Sequence, residues 1–333
     1  MITILKKTSI SLLLINLCHF AFSASDVHTH ESTSFIQFKN EIAQEAKSQG
    51  IRPDVIEKYL IGQTLNQKNI HQRNKYHKKL ITHSFVFFKQ EKDYHYLVKK
   101  GQQLTKQYQK QLKQIQQRYG VPESILIAIW GKETRFGHVM GNKNLINSLL
   151  SLSYYPSSQQ HYYHRQLLAA LTILNQSPHI MPEQLQSTYD GGMGHNQMEP
   201  ETYLEYAVSF SKKSFPNIWT NPVDSLASTA NYLAKHHWQA GENWGSRVKW
   251  KTGNRLVEKN YKQNKSGAFW KKIGIKSRYP LSDKQNYILY IPTGMPKNQG
   301  FLLGKNFKAL MTWNASHQEM LHIAQLSDTI GNR

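Results

Sequence analysis

Cysteine is nearly missing from this chain: 333 residues contain one, Cys18. It falls inside residues 1–23, which read as a secretory signal, so the mature protein carries no thiol and no disulfide. Its stability must then come from an apolar core. Acidic residues are also scarce, with 21 Asp and Glu against 42 Lys and Arg, a formal net charge of +21. No apolar run after residue 23 is long enough to cross a bilayer. Internal repeats and nucleic-acid-binding motifs are absent as well, which leaves DNA or RNA supported by charge alone. The positive balance suits an anionic partner, whether nucleic acid, an acidic membrane surface or an anionic wall polymer. It also suits a general basic bias with no dedicated partner.

The signal reading rests on Lys6 and Lys7, the apolar stretch Ile10 to Phe22, and Ala21-Phe22-Ser23 before Ala24. Leu17 precedes Cys18 where a lipoprotein signal has a small residue, so lipid attachment at Cys18 is not expected. Residues 24–33 are polar and expected to be disordered, His28 and His30 included. A helical region is expected over 34–118. Phe35, Phe38, Ile42 and Ala46 recur at helical spacing before Gly50, and Pro53 starts a short helix to Leu60. Residues 62–80 are rich in Gln, Asn, Lys and His. Residues 98–118 read as one long basic helix with Leu104, Tyr108, Leu112 and Ile115 on one stripe. Strand signals are sparse: Tyr287 to Pro292 is one, and Phe307 to Met311 is a second candidate. The expected fold is mainly α, with a small β element near the C-terminus.

The most informative segment runs from Tyr119-Gly120-Val121-Pro122 through the apolar Ile125 to Trp130, and ends in Gly131-Lys132-Glu133-Thr134-Arg135-Phe136-Gly137. A helix apolar on every side is buried, and this one would carry a single carboxylate, Glu133, to the edge of a cleft. Burial raises a carboxyl pKa, as a general acid requires. Taken alone, the segment describes more readily a surface acid paired with Lys132 or Arg135.

This segment, with Met140-Gly141-Asn142 after it, resembles the catalytic segment of the B-type lytic murein transglycosylases (glycoside hydrolase family 103). Further blocks follow in family order: His164 to Leu171, Gly191-Gly192-Met193-Gly194-His195-Asn196-Gln197, Asp224 to Leu233, and Asn306-Phe307 with Thr312-Trp313-Asn314 and Ser316. Together they span roughly residues 118–326 and imply a lysozyme-like catalytic region, taken here as 119–327.

The resemblance implies an exported enzyme that cleaves the β-1,4 bond between N-acetylmuramic acid and N-acetylglucosamine in peptidoglycan, in the periplasm and without a cofactor. Most glycosidases use two carboxylates. This family uses one glutamate, first as acid, then as base toward the muramic 6-hydroxyl, which closes a 1,6-anhydro ring. The attacking hydroxyl belongs to the same molecule, so proximity replaces an activated water. By resemblance Glu133 carries both roles. Gln197 would hydrogen-bond the sugar, and Tyr232 would support the acetamido group or developing charge. Thr188 stands where the family has a serine, Met193 would pack against sugar, and Asn314 would line the cleft floor.

Several positions depart from the pattern. Met198 and Glu199 replace a phenylalanine and a methionine after the cleft glutamine, and Asp190 replaces an alanine. These acids are either surface substitutions, or groups that raise the pKa of Glu133 or activate a water for hydrolysis. They also leave open a silent relative that binds glycan or a partner without cleaving. Residues 209–217, where family members can carry an EF-hand-like loop, offer no carboxylate and two lysines, so no calcium site is expected. Glu319 stands in place of a tyrosine, and no Gln-Pro-Glu-Phe element is found near 62–80.

Overall fold

A computed structural model of the chain describes residues 33–80, 88–90, 92–177, 185–212 and 215–332. The signal reading and residues 24–32 lie outside them; Thr33, expected in the disordered stretch, is the first residue of a helix. The N-terminal helices are α1 (Thr33–Ser48), α2 (Pro53–Ile56), which runs on into a π-helical turn (Glu57–Ile61), and α3 (Gln67–Leu80). Next come α4 (Tyr94–Gln107), α5 (Gln109–Tyr119) and α6 (Glu123–Thr134). After β1 (Lys143–Asn144) come α7 (Leu145–Tyr154) and α8 (Gln160–Gln176), then β2 (Gln186–Ser187), α9 (Pro200–Tyr206) and α10 (Pro222–Lys235). The chain continues through β3 (Gly245–Lys249), α11 (Arg255–Lys259), β4 (Asn264–Ser266), α12 (Gly267–Lys272), β5 (Lys276–Ser277), β6 (Asn286–Tyr290) and β7 (Gln299–Leu303). Helices α13 (Lys305–Trp313) and α14 (His317–Ile330) close it.

Two expectations are corrected. The stripe over 98–118 is split at Tyr108, whose φ of −101° and ψ of 17° leave the helical region, so α4 and α5 are separate helices. Phe307 to Met311 is helical, within α13. Phe307 and Leu310 are three apart and both buried, as the inner stripe of a helix demands.

Three apolar clusters organise the molecule. The first joins α4, α5, α6, α10, α13 and α14, with Leu126, Ile127, Ala128 and Ile129 of α6 fully buried at its centre. The second joins α1 and α2 to α7 and α8, with Met193, Met198, Ile218 and Trp219 from later loops. The packing therefore does not divide at residue 118: the N-terminal helices share a core with residues 145–219. The third cluster backs a five-stranded antiparallel sheet of order β4-β6-β7-β3-β5 with Trp270 and Val257 from α12 and α11. A separate two-stranded ladder pairs β1 with β2. Fully burying a leucine or isoleucine contributes about 1.5–3 kcal/mol, so α6 is fixed by its surroundings more than by helix propensity. Trp313 is half-buried and packs against both the first and the second cluster, which locates a seam between them.

Candidate active site

A cavity of about 510 Å³ opens along that seam. Glu133, Thr188, Asp190, Gln197, Met198, Glu199, Tyr232, Trp313, Asn314 and Glu319 are among its lining residues. Four carboxylates line it and no lysine or arginine does, although the chain as a whole is strongly basic.

Glu133 lies in the last turn of α6. The helix stops at Arg135 and Phe136, both left-handed at φ 50° and 61°. Such backbone costs a non-glycine residue about 1–2 kcal/mol. Two contacts hold it. Phe136 packs edge-on against Trp130 at 5.6 Å, and Arg135 Nη1 donates to Asp93 Oδ2 at 2.9 Å. Arg135 is thus committed away from Glu133, while Lys132 Nζ lies 3.3 Å from Glu319 Oε2 and still acts on the Glu133 charge, so the surface-pair reading of Glu133 fails for Arg135.

The Glu133 carboxyl is pushed up to about 7, first by burial, with the Glu319 and Asp190 charges adding to the rise. Trp313 Nε1 donates to Glu133 Oε1 at 2.8 Å and opposes the rise, as does Lys132. The position at a helix C-terminus, where orphan carbonyls carry partial negative charge, works in the same direction as burial. One carboxyl is therefore divided between its two protonation states near neutrality, the condition for donating and then recovering a proton.

Trp313 is itself held. The Tyr232 hydroxyl donates to Thr312 O at 2.7 Å, and the Tyr232 ring meets Trp313 edge-on at 5.1 Å. His236 stacks on the Tyr232 ring at 3.9 Å. Tyr232 lines the cavity, but its hydroxyl proton is engaged with backbone and its ring packs on Trp313.

Gln197 sits at φ 53°, and its Nε2 donates to Gly194 O at 2.9 Å and Met140 O at 3.2 Å, leaving Oε1 toward Gly192 and the cleft. His195 ties this loop to the end of α6. Thr134 Oγ1 donates to His195 O at 2.7 Å, and Trp130 Nε1 donates to His195 Nδ1 at 3.1 Å. Burial lowers the His195 pKa to about 4, so the ring is neutral and can accept that N–H. Gly137 (φ 86°) is where this packing tolerates no side chain: a Cβ there would stand 2.4 Å from His195 Cε1. Asn196 Nδ2 bonds Thr229 Oγ1 at 3.1 Å and so fastens the loop to α10.

Thr188 lines the cavity, donating to Asp190 Oδ1 at 2.6 Å and accepting from Gly192 N at 3.1 Å. Asn69 Nδ2 donates to Tyr189 O at 2.6 Å, which gives the motif-free stretch 62–80 a part in shaping the cleft. Asn314 lines it with Oδ1 accepting from Ser316 N at 2.8 Å. Met193 does not line it. Its side chain is 0% exposed in the second cluster, and its N–H and C=O pair with Met198, whose side chain borders the cavity instead. The Glu199 carboxyl is raised by the surrounding protein first, then by Asp190 and Glu201, while Tyr162 opposes.

Two partners of Glu133, Trp313 and Glu319, do not follow from the residues alone, nor does the support that Tyr232 gives Trp313. Once the fold half-buries Trp313 beside the cleft, its indole N–H needs an acceptor, and Glu133 supplies it. Phe210 and Asn217 are held from α10: Asp224, 3% exposed, accepts from Phe210 N at 2.8 Å and Asn217 N at 2.9 Å. Among the described residues no group of three His, Cys, Asp or Glu is placed to hold a metal, and no helix is long and apolar enough to cross a membrane.

A family model described as the transglycosylase SLT domain matches residues 34–328. The membrane-bound lytic murein transglycosylase B of Escherichia coli (strain K12) is 35% identical over 145 residues, 44% of this chain and 40% of that protein. The alignment thus spans less than half of that relative. SltB3 from Pseudomonas aeruginosa, solved with NAG-anhNAM-pentapeptide, superposes with a TM-score of 0.77 at 29% identity, covering 90% of this chain and 80% of its own. SltB1 from the same organism superposes with a TM-score of 0.72 at 20% identity over 90% and 98% of the two chains, a likeness of fold alone. The mainly helical, lysozyme-like architecture is common to these neighbours.

Proposed function

The chain belongs to the transglycosylase SLT-domain family, and from that premise we propose that it is an exported lytic transglycosylase acting on peptidoglycan glycan strands. The observation that carries this reading is Glu133: one carboxyl at about 7, at the end of a buried helix, held by Trp313 in the wall of a polar cleft. Protonated Glu133 donates to the glycosidic oxygen as the bond to the muramic anomeric carbon breaks. The resulting carboxylate then accepts the proton of the muramic 6-hydroxyl as that oxygen closes on the same carbon. The proton count balances without water, and the enzyme returns to its starting state. Trp313 stabilises the carboxylate between the two steps. Gln197 Oε1 and Asn314 offer polar contacts for sugar hydroxyls and the acetamido group, Thr188 shapes the loop, and Tyr232 supports Trp313.

That SltB3 was solved with both NAG-anhNAM-pentapeptide and NAG-NAM-pentapeptide supports a muramyl substrate and an anhydro product for this chain as well. Residues 1–23 would deliver the enzyme to the periplasm. A second reading, hydrolysis, draws on one observation: Asp190 and Glu199 share the cavity with Glu133, and a second carboxylate is the group that activates a water in hydrolytic glycosidases. The test is release of soluble muropeptides from purified sacculi by the wild type, Glu133→Gln, Asp190→Asn and Glu199→Gln. The transglycosylase reading expects loss of release in Glu133→Gln and retention in the other two. Full activity in Glu133→Gln would sink it.

A further inference from the structure

The positive charge of this chain is not at its cleft. It is concentrated in residues 245–303, the segment that forms the five-stranded sheet with α11 and α12. This stretch holds thirteen Lys and Arg but two acids, Glu258 and Asp283, and so supplies +11 of the net +21. Asp283 is already engaged, accepting from Lys271 Nζ at 2.6 Å.

Within this segment, β3 and β5 form one end of the sheet, and a groove of about 430 Å³ lies against them. It is lined by Arg247, Lys249, Lys276, Arg278, Val248, Ser277 and Gln299, with no carboxylate. The register places Lys249 directly opposite Lys276, so two cations stand side by side on one face of the ladder. Like charges directly opposed across an antiparallel pair destabilise it. The fold therefore keeps an unfavourable contact at the rim of a groove that two guanidinium groups also line. Burial and the neighbouring Arg278 charge hold the Arg247 pKa below its ordinary value, a further sign of crowded positive charge. An arrangement of this kind is relieved by an anion placed among the cations. Arg and Lys together suit phosphate, whose several oxygens accept from more than one donor.

We propose that the β3–β5 groove is a phosphate-binding site through which the protein docks on an anionic phospholipid surface. Two features favour lipid headgroups over a glycan. The same segment carries nine further cations outside the groove, Arg255 and Lys259 of α11 among them, which suits an extended anionic surface rather than a single strand. Leu256, 56% exposed on α11 beside Arg255, adds an apolar group of the kind that enters the headgroup region. Stem-peptide carboxylates, singly charged and spaced along a strand, would meet these cations one at a time. The site shares no lining residue with the cleft, so the proposal stands apart from the catalytic reading.

The test is sedimentation of the mature protein with phosphatidylglycerol-containing vesicles and with purely phosphatidylcholine vesicles. The groove variant combines Lys249→Gln, Lys276→Gln and Arg278→Gln. A control variant of equal charge change combines Lys106→Gln, Lys110→Gln and Lys113→Gln on α4 and α5. The expected result is binding to anionic vesicles only, weakened about a hundredfold in the groove variant, at roughly fivefold for each cation removed. The control should lose far less, and release of muropeptides from sacculi should be unchanged in both. Equal losses in the two variants would reduce the effect to net charge and overturn the proposal. So would groove-dependent binding of inorganic phosphate without vesicle binding, or a groove variant that loses affinity for peptidoglycan and not for vesicles.

Discussion

The indole N–H of Trp313 donates to Glu133 Oε1 at 2.8 Å across 180 residues of sequence. This bond joins the ends of α6 and α13 at the seam between two apolar clusters, and it is made to the one carboxyl whose protonation the proposed reaction needs. A hydrogen bond to the charged form lowers a carboxyl pKa, whereas burial raises it. The value near 7 is the balance of the two, with burial the larger.

Trp313→Phe removes the donor and keeps an aromatic ring. A hydrogen bond to a charged group contributes about 1.5–3 kcal/mol, equivalent to about 1–2 pH units. The pH at which Glu133 loses its proton should rise, and the alkaline limb of the activity profile should move up with it. The measurement is turnover against pH for the two proteins, and an unmoved limb would separate Trp313 from Glu133.

Glu133 also links stability to pH. Its folded pKa, about 7, lies above the free value of 4.5. The fold therefore favours the protonated carboxyl. That contribution is complete below pH 4.5 and is lost as pH rises through 7. Glu133→Gln, neutral and nearly isosteric, escapes the loss. By pH 8 the variant should be more stable than the wild type by about 2 kcal/mol, a figure discounted for the carboxyl's partial access to the cleft. Near pH 4 the two should differ little from this source. Urea denaturation at the two pH values checks it, and a constant difference would contradict the raised pKa.

Tyr232→Phe removes the donor to Thr312 O but leaves the ring against Trp313 and His236. The loss, about 1 kcal/mol of one neutral hydrogen bond, should loosen Trp313 and reduce kcat by roughly fivefold. Because Tyr232 acts through Trp313, the alkaline limb should broaden or rise in the same direction as in Trp313→Phe. A change in KM alone would mean that the hydroxyl binds substrate.

Asp224→Ala leaves Phe210 N and Asn217 N without their acceptor in a buried setting. A cost of about 2–4 kcal/mol is expected, seen as a lowered Tm. Calcium should leave the wild-type Tm where it is, since residues 209–217 supply no carboxylate. A calcium-dependent rise in Tm would overturn that reading of the loop.

Some of this architecture was legible in the residues and some was not. Helix α6 could be read because Ile125 to Trp130 is apolar without interruption and Pro122 starts it. Glu133 followed, because a single acid ends that run. The sheet was mostly hidden. Strands such as Asn264-Lys265-Ser266 and Lys276-Ser277 are two or three residues long, too short to show alternation, and take their register from neighbours. Only β6, with Tyr287 and Leu289 buried between more exposed residues, carried a readable period. In the cleft, Gln197, Thr188 and Asn314 were found through motif blocks that fold into one loop or helix end. The partnership of Trp313 with Glu133 was not, because no local pattern reports which distant side chain closes a seam. Met193 misled for a related reason: between glycines in a cleft loop it looks available to substrate, but its backbone pairing with Met198 turns it into the core.

The central claim is that Glu133 alone moves the proton and that the muramic 6-hydroxyl, not water, attacks. Mass spectrometry of muropeptides released in ¹⁸O-labelled water tests both parts at once. The account predicts 1,6-anhydromuramic ends without label, absent from Glu133→Gln digests. Reducing ends carrying ¹⁸O would contradict it and would assign the water to Asp190 or Glu199.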